Sequence, residues 1–271
     1  MSIWAPKDKA PPSCEQRSSV VLVHGFAGDG IVTWGLQVPA LAKRYDVYVP
    51  DLLHFGGSSS PSPDRSTGFQ AACVAAALRR LGVERFAVVG FSYGGFVAFR
   101  MAEAYPSLVR SIVVSGAAVG LTDAMNDALL ARRGVRSLGE LLLPESVDRL
   151  RSLFAAAIYR KLWLPDRLLR DFLEVMFTNR KERGELLENL VISDADATVP
   201  DFQQYKQEIL LLWGEDDDFF TMEMAKKLKQ ELGEKATLRS ISKAGHLAHL
   251  ERPCVYNRIL MEFLQSHGAA V

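Results

Sequence analysis

The sequence predicts an α/β fold in which a mainly parallel sheet is flanked by helices. Short apolar runs alternate with helical patterns along most of the chain, which is typical of parallel strands joined by right-handed crossovers. The alternation stops between residues 119 and 200, where several helical patterns follow one another without a strand. A glycine-flanked serine also stands between an apolar run and a helical pattern, at residues 90–94. We therefore expect one α/β core that carries a helical insertion.

The predicted elements follow the apolar runs and the helical periodicity in chain order. Strands are predicted at 20–23, 46–50, 86–90, 111–115, 208–213 and 237–241. Helices are predicted between them at 34–43, 67–81, 95–105, 222–232 and 253–265, and the insertion has helical patterns at 123–133, 145–158, 166–177 and 181–190. The expected organisation is a short N-terminal segment (1–19), a core (20–118 and 201–271) and the helical insertion (119–200).

The segment Gly90-Phe91-Ser92-Tyr93-Gly94 predicts a nucleophile. It joins an apolar run to a helical pattern, as in the sharp strand-to-helix turn called a nucleophile elbow. The flanking glycines avoid collisions where the chain doubles back, and the helix N-terminus directs its unpaired N–H groups to the same point. A pattern this short also arises by chance, so the rest of the chain has to supply the partners of Ser92.

A serine hydroxyl becomes an effective nucleophile only when a base removes its proton. The five histidines of the chain are His24, His54, His246, His249 and His267. We predict His246 as the base because it follows the strand at 237–241 and comes after Gly245, which gives the loop conformational freedom. His249 is the alternative, and we expect it to pack at the start of the last helix.

The imidazole in turn needs an acid that fixes its tautomer and stabilises its charged form. Gly214-Glu215-Asp216-Asp217-Asp218 follows the buried strand at 208–213, and the C-terminal ends of parallel strands are where α/β sheets hold their chemistry. A solvated acidic turn is the ordinary interpretation of three consecutive aspartates. The chain order Ser92, Asp217, His246 favours a catalytic triad instead.

These motifs resemble those of the α/β-hydrolase superfamily, from about Val20 to Gln265. Val21-Leu22-Val23-His24-Gly25-Phe26 is similar to its strand and oxyanion loop. Trp213-Gly214-Glu215-Asp216-Asp217 is similar to its W-G-x-x-D acid loop, which places the acid at Asp217. The segment from Gly245-His246 to Glu251-Arg252-Pro253 is similar to its G-H-x-x-x-x-E-x-P base loop. The chain more closely resembles a plant group of short hydrolases that is labelled monoacylglycerol lipase-like or muconate-semialdehyde hydrolase-like.

The resemblance implies a triad of Ser92, His246 and Asp217, with the backbone N–H groups of Phe26 and Tyr93 as the oxyanion hole. It also implies that the insertion is a cap, or lid, above the serine. The candidate substrate-binding residues are Phe26, Tyr93, Phe154, Trp163 and Phe177. An equally acceptable interpretation of the insertion aromatics is that they form the insertion's own small core.

The N-terminus departs from the family pattern. Members of the family normally have two antiparallel strands before the strand at 20–23, but only 19 residues precede it here. Ala10-Pro11-Pro12-Ser13 cannot form the interior of a strand, whereas Ser2-Ile3-Trp4-Ala5 is compatible with the end of the second strand. We therefore expect one or both N-terminal edge strands to be missing.

The expected activity is hydrolysis of a carboxylic ester through an acyl-enzyme. Serine at the elbow excludes the relatives that use an aspartate nucleophile there, namely epoxide hydrolases and haloalkane dehalogenases. The apolar insertion favours a small, mostly apolar substrate. The alternatives are hydrolysis of a C–C bond in a dienoic diketone and, in a different class, a slow-turnover ligand receptor of the same fold.

Composition limits the expected partners and location. The 271 residues carry 32 basic and 32 acidic side chains, so charge gives no reason to expect nucleic acid or an anionic membrane as a partner. Cys14, Cys73 and Cys254 are odd in number and widely spaced, which favours reduced thiols. No signal peptide or membrane-length apolar run is recognised. We expect a cytoplasmic monomer or weak oligomer that uses no cofactor and no metal.

Overall fold

The computed structural model describes residues 1–7, 17–161, 163–194 and 202–268. Two of the segments considered above, Ala10-Pro11-Pro12-Ser13 and Cys14, lie outside the described residues. The strands are β1 (Ile3–Trp4), β2 (Ser19–Val23), β3 (Asp46–Pro50), β4 (Phe86–Phe91), β5 (Val109–Ser115), β6 (Leu121–Thr122), β7 (Val191–Ile192), β8 (Glu208–Gly214) and β9 (Ala236–Ile241).

The helices lie between and after these strands. They are α1 (Gly30–Trp34), α2 (Val38–Leu41), α3 (Thr67–Arg80), α4 (Tyr93–Ala104), α5 (Asp123–Arg133), α6 (Leu138–Leu142), α7 (Val147–Ala157), α8 (Asp166–Met176), α9 (Arg180–Glu188), α10 (Met222–Leu232), α11 (Ala248–Glu251) and α12 (Pro253–Gly268). Short 3₁₀ turns lie at Phe202–Gln204 and Gly233–Lys235. In the described part of the chain, no helix is both long enough and apolar enough to cross a membrane.

Seven strands form one sheet in the order β1-β3-β2-β4-β5-β8-β9. β1 pairs antiparallel with β3, and the other neighbours are parallel. The chain moves outward from β2 to β3 and then crosses to β4 on the other side of β2, so the strand order reverses between β2 and β4. Such a reversal opens a crevice at the C-terminal strand ends, where α/β proteins bind ligands. The residues that follow β2 and β4 lie at that crevice.

Both faces of the sheet are buried because successive side chains of each strand point to opposite sides. Val21 and Val23 of β2 belong to a cluster that includes apolar residues of α3 and α4. Val20 and Leu22 belong to a second cluster that includes apolar residues of α12. This three-layer arrangement confirms the predicted fold class, and every predicted core strand is present with ends shifted by two residues or fewer.

The helix predicted at 34–43 is wrong, because the structure has the two short helices α1 and α2 there. α1 starts early since the side chain of Asp29 accepts a hydrogen bond from the Val32 N–H (2.8 Å) and caps the helix. α2 starts separately, with Pro39 in its first turn, where the N–H that proline lacks has no intrahelical partner anyway.

The segment between β5 and β8 contains α5 to α9 and a small parallel sheet of β6 and β7. The sequence pattern gives no sign of β6 and β7, since two residues are too few to show alternation. It also misses α6, whose first turn is capped by the Ser137 hydroxyl accepting from the Glu140 N–H (3.1 Å). We refer to residues 119–194 as the helical insertion; residues 195–200 of the predicted insertion lie outside the described residues.

The antiparallel edge of the described sheet is the two-residue strand β1. Ile3 lies opposite Pro50 and Trp4 lies opposite Val49. This strand occupies the position expected for Ser2-Ile3-Trp4-Ala5. It is far from β4, β8 and β9, which lie in the middle and at the opposite edge of the sheet.

Candidate active site

Ser92 occupies the turn between β4 and α4. Its φ of 51° and ψ of −121° are rare for a residue with a side chain. The turn is tight, because a Cβ at Gly90 would lie 2.4 Å from the Gly94 oxygen and a Cβ at Gly94 would lie 2.3 Å from the Val23 oxygen. The Ser92 N–H donates to the Ser115 carbonyl (2.8 Å). This strained, tightly packed turn has the geometry of a nucleophile elbow.

Asp217 lies in the loop after β8 and is 5% exposed. Its Oδ1 accepts hydrogen bonds from the N–H groups of Phe219 (2.8 Å) and Phe220 (2.9 Å). Its two acidic neighbours, Asp216 and Asp218, are exposed. The structure therefore distinguishes the three consecutive aspartates: only the middle one is buried and held by the backbone.

His246 lies in the loop after β9 and is 7% exposed. Its Nδ1 is 2.9 Å from Oδ2 of Asp217, so Nδ1 carries the proton that is donated and Nε2 is left as an acceptor. The ring stacks on Phe219 with a centroid distance of 4.8 Å and lies 4.8 Å from the ring of Phe91. The imidazole is thus fixed beside the residue that precedes Ser92.

The Ser92 hydroxyl makes no hydrogen bond among the described residues. Its Cβ lies 3.3 Å from the position of a Cβ built on Gly25, in the loop after β2. Nucleophile–base hydrogen bonds are often long in ligand-free active sites. The structure therefore brings the predicted acid and base into direct contact and places both at the strand ends near Ser92.

The other histidines are in different surroundings. His24 is fully buried, with Nδ1 at 2.7 Å from the Gly25 oxygen and Nε2 accepting from the Leu52 N–H (2.9 Å). Burial lowers the pKa of His24, which keeps it neutral in this bonded tautomer. Burial also lowers the pKa of His54, at the loop after β3. The His24 side chain therefore joins the loop after β2 to the loop after β3, whereas His54 bonds to its neighbours through its backbone.

His249, the alternative base, lies in α11 and does not face Asp217. Its ring packs 4.4 Å from that of Phe91 and 5.2 Å from that of Trp34. Neither ring nitrogen has a hydrogen-bond partner within the described ranges. Burial, assisted by the nearby His246, lowers its pKa to about 3. His249 is therefore a neutral packing residue, and it lies in the short helix α11 rather than at the start of the last helix, α12.

The predicted oxyanion loop lies against the elbow. Phe26 and Tyr93 pack edge to face with a centroid distance of 5.7 Å, and both contact the ring of Phe55. The N–H of Tyr93 is at the first position of α4, where no intrahelical acceptor exists. The N–H of Phe26 donates to no carbonyl among the described residues. Two free donors therefore flank Ser92.

Two glycines of the site have roles that the sequence analysis misses or misinterprets. Gly116 follows β5 with φ 58°, and a Cβ there would lie 2.6 Å from Cε1 of His246 and 3.1 Å from Oδ2 of Asp217. We predicted that Gly245 gives the base loop conformational freedom. Its φ is not positive, so that explanation of the glycine is wrong. This position must be glycine because the Ala157 oxygen would lie 2.8 Å from its Cβ. For Gly116, the only sign in the sequence of a role at the site is its position as a small residue directly after a strand.

The helical insertion contacts the core through loops at the C-terminal ends of strands. Asn179 Nδ2 donates to the His54 carbonyl (3.2 Å) after β3, and Arg132 donates to the Phe219 carbonyl (3.4 Å) after β8. After β9, the Leu247 N–H donates to the Ala157 carbonyl (3.0 Å). All three contacts lie on the side of the sheet that carries Ser92, so the insertion covers that side.

The predicted substrate-binding aromatics of the insertion divide into two groups. Phe154 and Phe177 both contact Phe172, with centroid distances of 5.3 and 6.2 Å. Phe177 belongs to, and Phe154 and Phe172 pack against, the buried cluster that includes one face of the core sheet, so these aromatics pack with the core as well as with one another. Trp163 is 86% exposed and does not join them. We therefore remove Trp163 from the candidates, since an exposed side chain buries no substrate.

No group of three or more His, Cys, Asp or Glu side chains is arranged to hold a metal ion in residues 1–7, 17–161, 163–194 and 202–268. Cys73 and Cys254 are free thiols, partly buried and exposed respectively. Neither lies in the loops described above.

Comparison with known proteins places the chain in a family. Residues 18–253 match the family model described as "alpha/beta hydrolase fold". A 2-hydroxy-6-oxo-6-phenylhexa-2,4-dienoate hydrolase of Comamonas testosteroni is 28% identical, over 91% of this chain and 87% of that protein. The structure of a meta-cleavage product hydrolase from Pseudomonas fluorescens is similar with a TM-score of 0.74 and 26% identity, covering 92% and 91% of the two chains.

The structure of a membrane phospholipase A, described as a bacterial virulence factor, is also similar, with a TM-score of 0.79 and 25% identity. It covers 94% of this chain and 80% of its own. Hydrolases of C–C bonds and of lipid esters are therefore both similar to this protein. The family match spans strands β2 to β9, the helical insertion and all three candidate residues. The chain belongs to the α/β-hydrolase fold family of hydrolases.

Proposed function

We propose that the protein is a serine hydrolase with Ser92 as nucleophile, His246 as general base and Asp217 as the acid that orients the base. The observation that carries this proposal is the buried 2.9 Å contact between His246 Nδ1 and Asp217 Oδ2 beside the strained turn of Ser92. A buried His–Asp pair next to an elbow serine is the arrangement that acyl transfer requires.

The proposed reaction has three steps, which the arrangement of these residues supports. Nε2 of His246 removes the Ser92 proton as Oγ attacks a carbonyl carbon, and Asp217 stabilises the imidazolium that forms. The N–H groups of Phe26 and Tyr93 receive the oxyanion, and the loss of one such donor typically costs about 3 kcal/mol in the transition state. His246 then protonates the leaving group and activates the water that hydrolyses the acyl-enzyme.

We further propose that residues 119–200, which include the helical insertion, act as the cap of this site, and that residues 20–118 and 201–271 form the core. Its contacts to the loops after β3, β8 and β9 support this role. A cap in this place excludes water and shapes the substrate pocket. Phe26, Tyr93, Phe154 and Phe177 are the proposed substrate-binding residues, and they favour an apolar acyl or leaving group.

The substrate class that we propose first is a carboxylic ester of a small, mostly apolar acid or alcohol. The test is labelling of the protein with a fluorophosphonate, followed by rates for p-nitrophenyl esters of increasing chain length. We expect labelling that depends on Ser92 and multiple turnovers. Absence of labelling in the folded wild-type protein would refute the proposal.

Hydrolysis of a C–C bond is the second candidate, and Arg183 favours it. This side chain of α9 is 2% exposed, lies 4.2 Å above the Phe55 ring and donates to the carbonyls of His54 and Met176. No carboxylate lies within ion-pair distance of it in the part of the chain that the structure describes. Burial lowers its pKa to about 10, while the Asp29 carboxylate, beyond ion-pair distance, acts to raise it. Arg183 therefore remains a cation at pH 7 that Asp29 compensates from a distance and that an anionic substrate group could pair with directly.

Substrates of the relatives make this candidate concrete. The relatives are named as hydrolases of dienoates, which carry a carboxylate. We expect Arg183→Met to raise KM for 2-hydroxy-6-oxo-6-phenylhexa-2,4-dienoate about ten-fold or more if Arg183 binds that carboxylate, while KM for neutral p-nitrophenyl esters stays the same. Equal changes in KM for both substrates would mean that Arg183 does not bind the carboxylate and only holds the loop after β3 in place.

A ligand receptor of the same fold is the third possibility, and turnover separates it from an enzyme. An enzyme of this class releases product repeatedly, with kcat typically above 1 s⁻¹. Turnover over minutes, combined with a ligand-dependent rise in the thermal stability of the insertion, would favour the receptor instead.

A further inference from the structure

Glu251, at the end of α11, joins the base loop to the helical insertion. Its Oε2 accepts a hydrogen bond from the Gly245 N–H (2.7 Å). Its Oε1 accepts from the N–H groups of Tyr159 (2.9 Å) and Arg160 (3.2 Å), which follow α7. One carboxylate therefore binds three backbone donors, one beside His246 and two in the insertion.

The two segments are also in direct backbone contact. On the other side of His246, the Leu247 N–H donates to the Ala157 carbonyl (3.0 Å). The Cβ position of Gly245 lies 2.8 Å from that same carbonyl oxygen and 3.0 Å from the Tyr159 nitrogen. Residues on both sides of His246 are thus attached to the segment at 157–160, and a shift of this segment moves the loop that carries the imidazole.

We propose that Glu251 is a positioning residue that couples the helical insertion to the orientation of His246. The proposal rests on the role of His246 as general base. Glu251 does not contact the imidazole or Ser92; it acts through the backbone of Gly245. A carboxylate suits this place because it has acceptor sites on both oxygens and no proton to donate. When the insertion is seated, Glu251 and the bond from Leu247 to Ala157 fix the base loop; when the segment at 157–160 moves away, the loop loses both attachments.

Glu251→Gln tests the coupling with almost no change in volume. Glutamine has one carbonyl oxygen, so its NH₂ group has to face either the Gly245 N–H or the N–H groups of Tyr159 and Arg160. One end of the connection is therefore lost. We expect kcat for p-nitrophenyl acetate to fall by about ten- to a hundred-fold, since small errors in the position of a catalytic group are costly, and KM to change little.

Two further measurements distinguish a role of Glu251 in positioning His246 from a role in the stability of the fold alone. We expect the low-field proton resonance of the His246 Nδ1–H, which reports the contact with Asp217, to shift or broaden in the variant. We also expect faster amide hydrogen exchange at residues 157–160. Glu103→Gln, which removes an ion pair with Arg100 at the far end of α4, is the matched control and should leave all three measurements unchanged. A role limited to stability would lower Tm but leave kcat per folded molecule and the resonance as in the wild type.

The outcomes distinguish this proposal from the proposed function. A folded Glu251→Gln protein with wild-type kcat, resonance and exchange would overturn the coupling while leaving the serine hydrolase intact. If the wild-type protein is neither labelled by a fluorophosphonate nor active, the proposed function fails first. Should Glu251→Gln not fold, Glu251→Asp serves instead: it keeps the charge but is one methylene too short to reach all three donors, and we expect the same loss of kcat, about ten-fold.

Discussion

The core loops around Ser92 and the helical insertion above them are organised in different ways. In the core, Asp217 is held by two backbone N–H groups, His246 is held by the Asp217 carboxylate, and the tight glycines of the turn constrain the backbone of Ser92. The insertion is held by apolar packing, because buried side chains such as Leu150 and Phe177 belong to the same hydrophobic cluster as one face of the core sheet, and by hydrogen bonds to the loops after β3, β8 and β9. This difference supports the proposal that the core carries out the reaction and that the insertion selects the substrate.

The largest test of this division is Ser92→Ala. Loss of the nucleophile in serine hydrolases lowers kcat by about 10⁶-fold, and we expect hydrolysis of p-nitrophenyl esters to be abolished. The fold should persist, since the turn is maintained by Gly90, Gly94 and the Ser115 carbonyl. Circular dichroism checks folding and ester assays check activity. Residual activity close to that of the wild type would show that another residue performs the chemistry.

Gly116→Ala tests whether the His–Asp pair tolerates displacement. The new Cβ would lie 2.6 Å from Cε1 of His246, so we expect kcat to fall about a hundred-fold. Gly134→Ala is a well-matched control, because Gly134 has a similar φ of 63° and no atom within 4 Å of its Cβ position. Both variants should lose about 1 kcal/mol or more of stability through backbone strain, but only the first should lose activity.

The pH dependence of stability tests the buried histidines of the core. His249 stays neutral in the folded protein because its pKa is lowered to about 3, whereas an unfolded histidine titrates near about 6.5. Below that pH the unfolded state binds more protons, so stability is lost as pH falls, by up to about 1.4 kcal/mol per pH unit for one such group.

We expect His249→Phe to reduce the loss of unfolding free energy between pH 7 and pH 5 by about 2 kcal/mol, as measured by urea unfolding. Phenylalanine preserves the packing against Phe91 and Trp34 and breaks no side-chain hydrogen bond among the described residues. His267→Phe, at an exposed position in α12, is the control. An unchanged slope in His249→Phe would mean that this imidazole is charged in the folded protein.

The smallest expected effects are in the insertion. Phe154→Ala should raise KM a few-fold for esters with long acyl chains and leave kcat for p-nitrophenyl acetate unchanged, because Phe154 shapes the pocket without touching the reacting atoms. Trp163→Ala should change neither constant, since this side chain is 86% exposed. If Trp163→Ala alone raised KM, our removal of Trp163 from the pocket would be mistaken.

The division between the two regions also explains what the sequence predicts well. Buried parallel strands appear as apolar runs, and loops at their ends follow directly, so β8, β9 and the positions of Asp217 and His246 after them are recognisable from local patterns. The catalytic roles of these residues stay predictions. Gly116 and Glu251 are different, because their importance depends on contacts with residues far away in the chain. Glu251 accepts a 2.9 Å hydrogen bond from the Tyr159 N–H, and a Cβ at Gly116 would clash with His246.

Local chemistry accounts for the remaining errors. Asp29 caps α1 through the Val32 N–H and starts a helix four residues before the predicted one. β6 and β7 have two residues each, and only their pairing makes them strands. Trp163 is large and apolar, so composition suggests burial, but exposure is decided by the neighbours that the tertiary fold supplies.

The helical insertion leaves the core after β5 and returns to it at β8, and these two strands are adjacent in the sheet, with Ser111 opposite Glu208 and Val114 opposite Leu211. Because the two strands are parallel, the chain leaves at the C-terminal end of β5 and has to return to the N-terminal end of β8, at the opposite end of the sheet. A segment of different length or sequence can be exchanged between these two strands without rerouting any strand, provided that it still spans this distance. Chimeras joined at the end of β5 and at the start of β8 offer a route to new substrate preferences, while the core and its candidate catalytic residues stay unchanged.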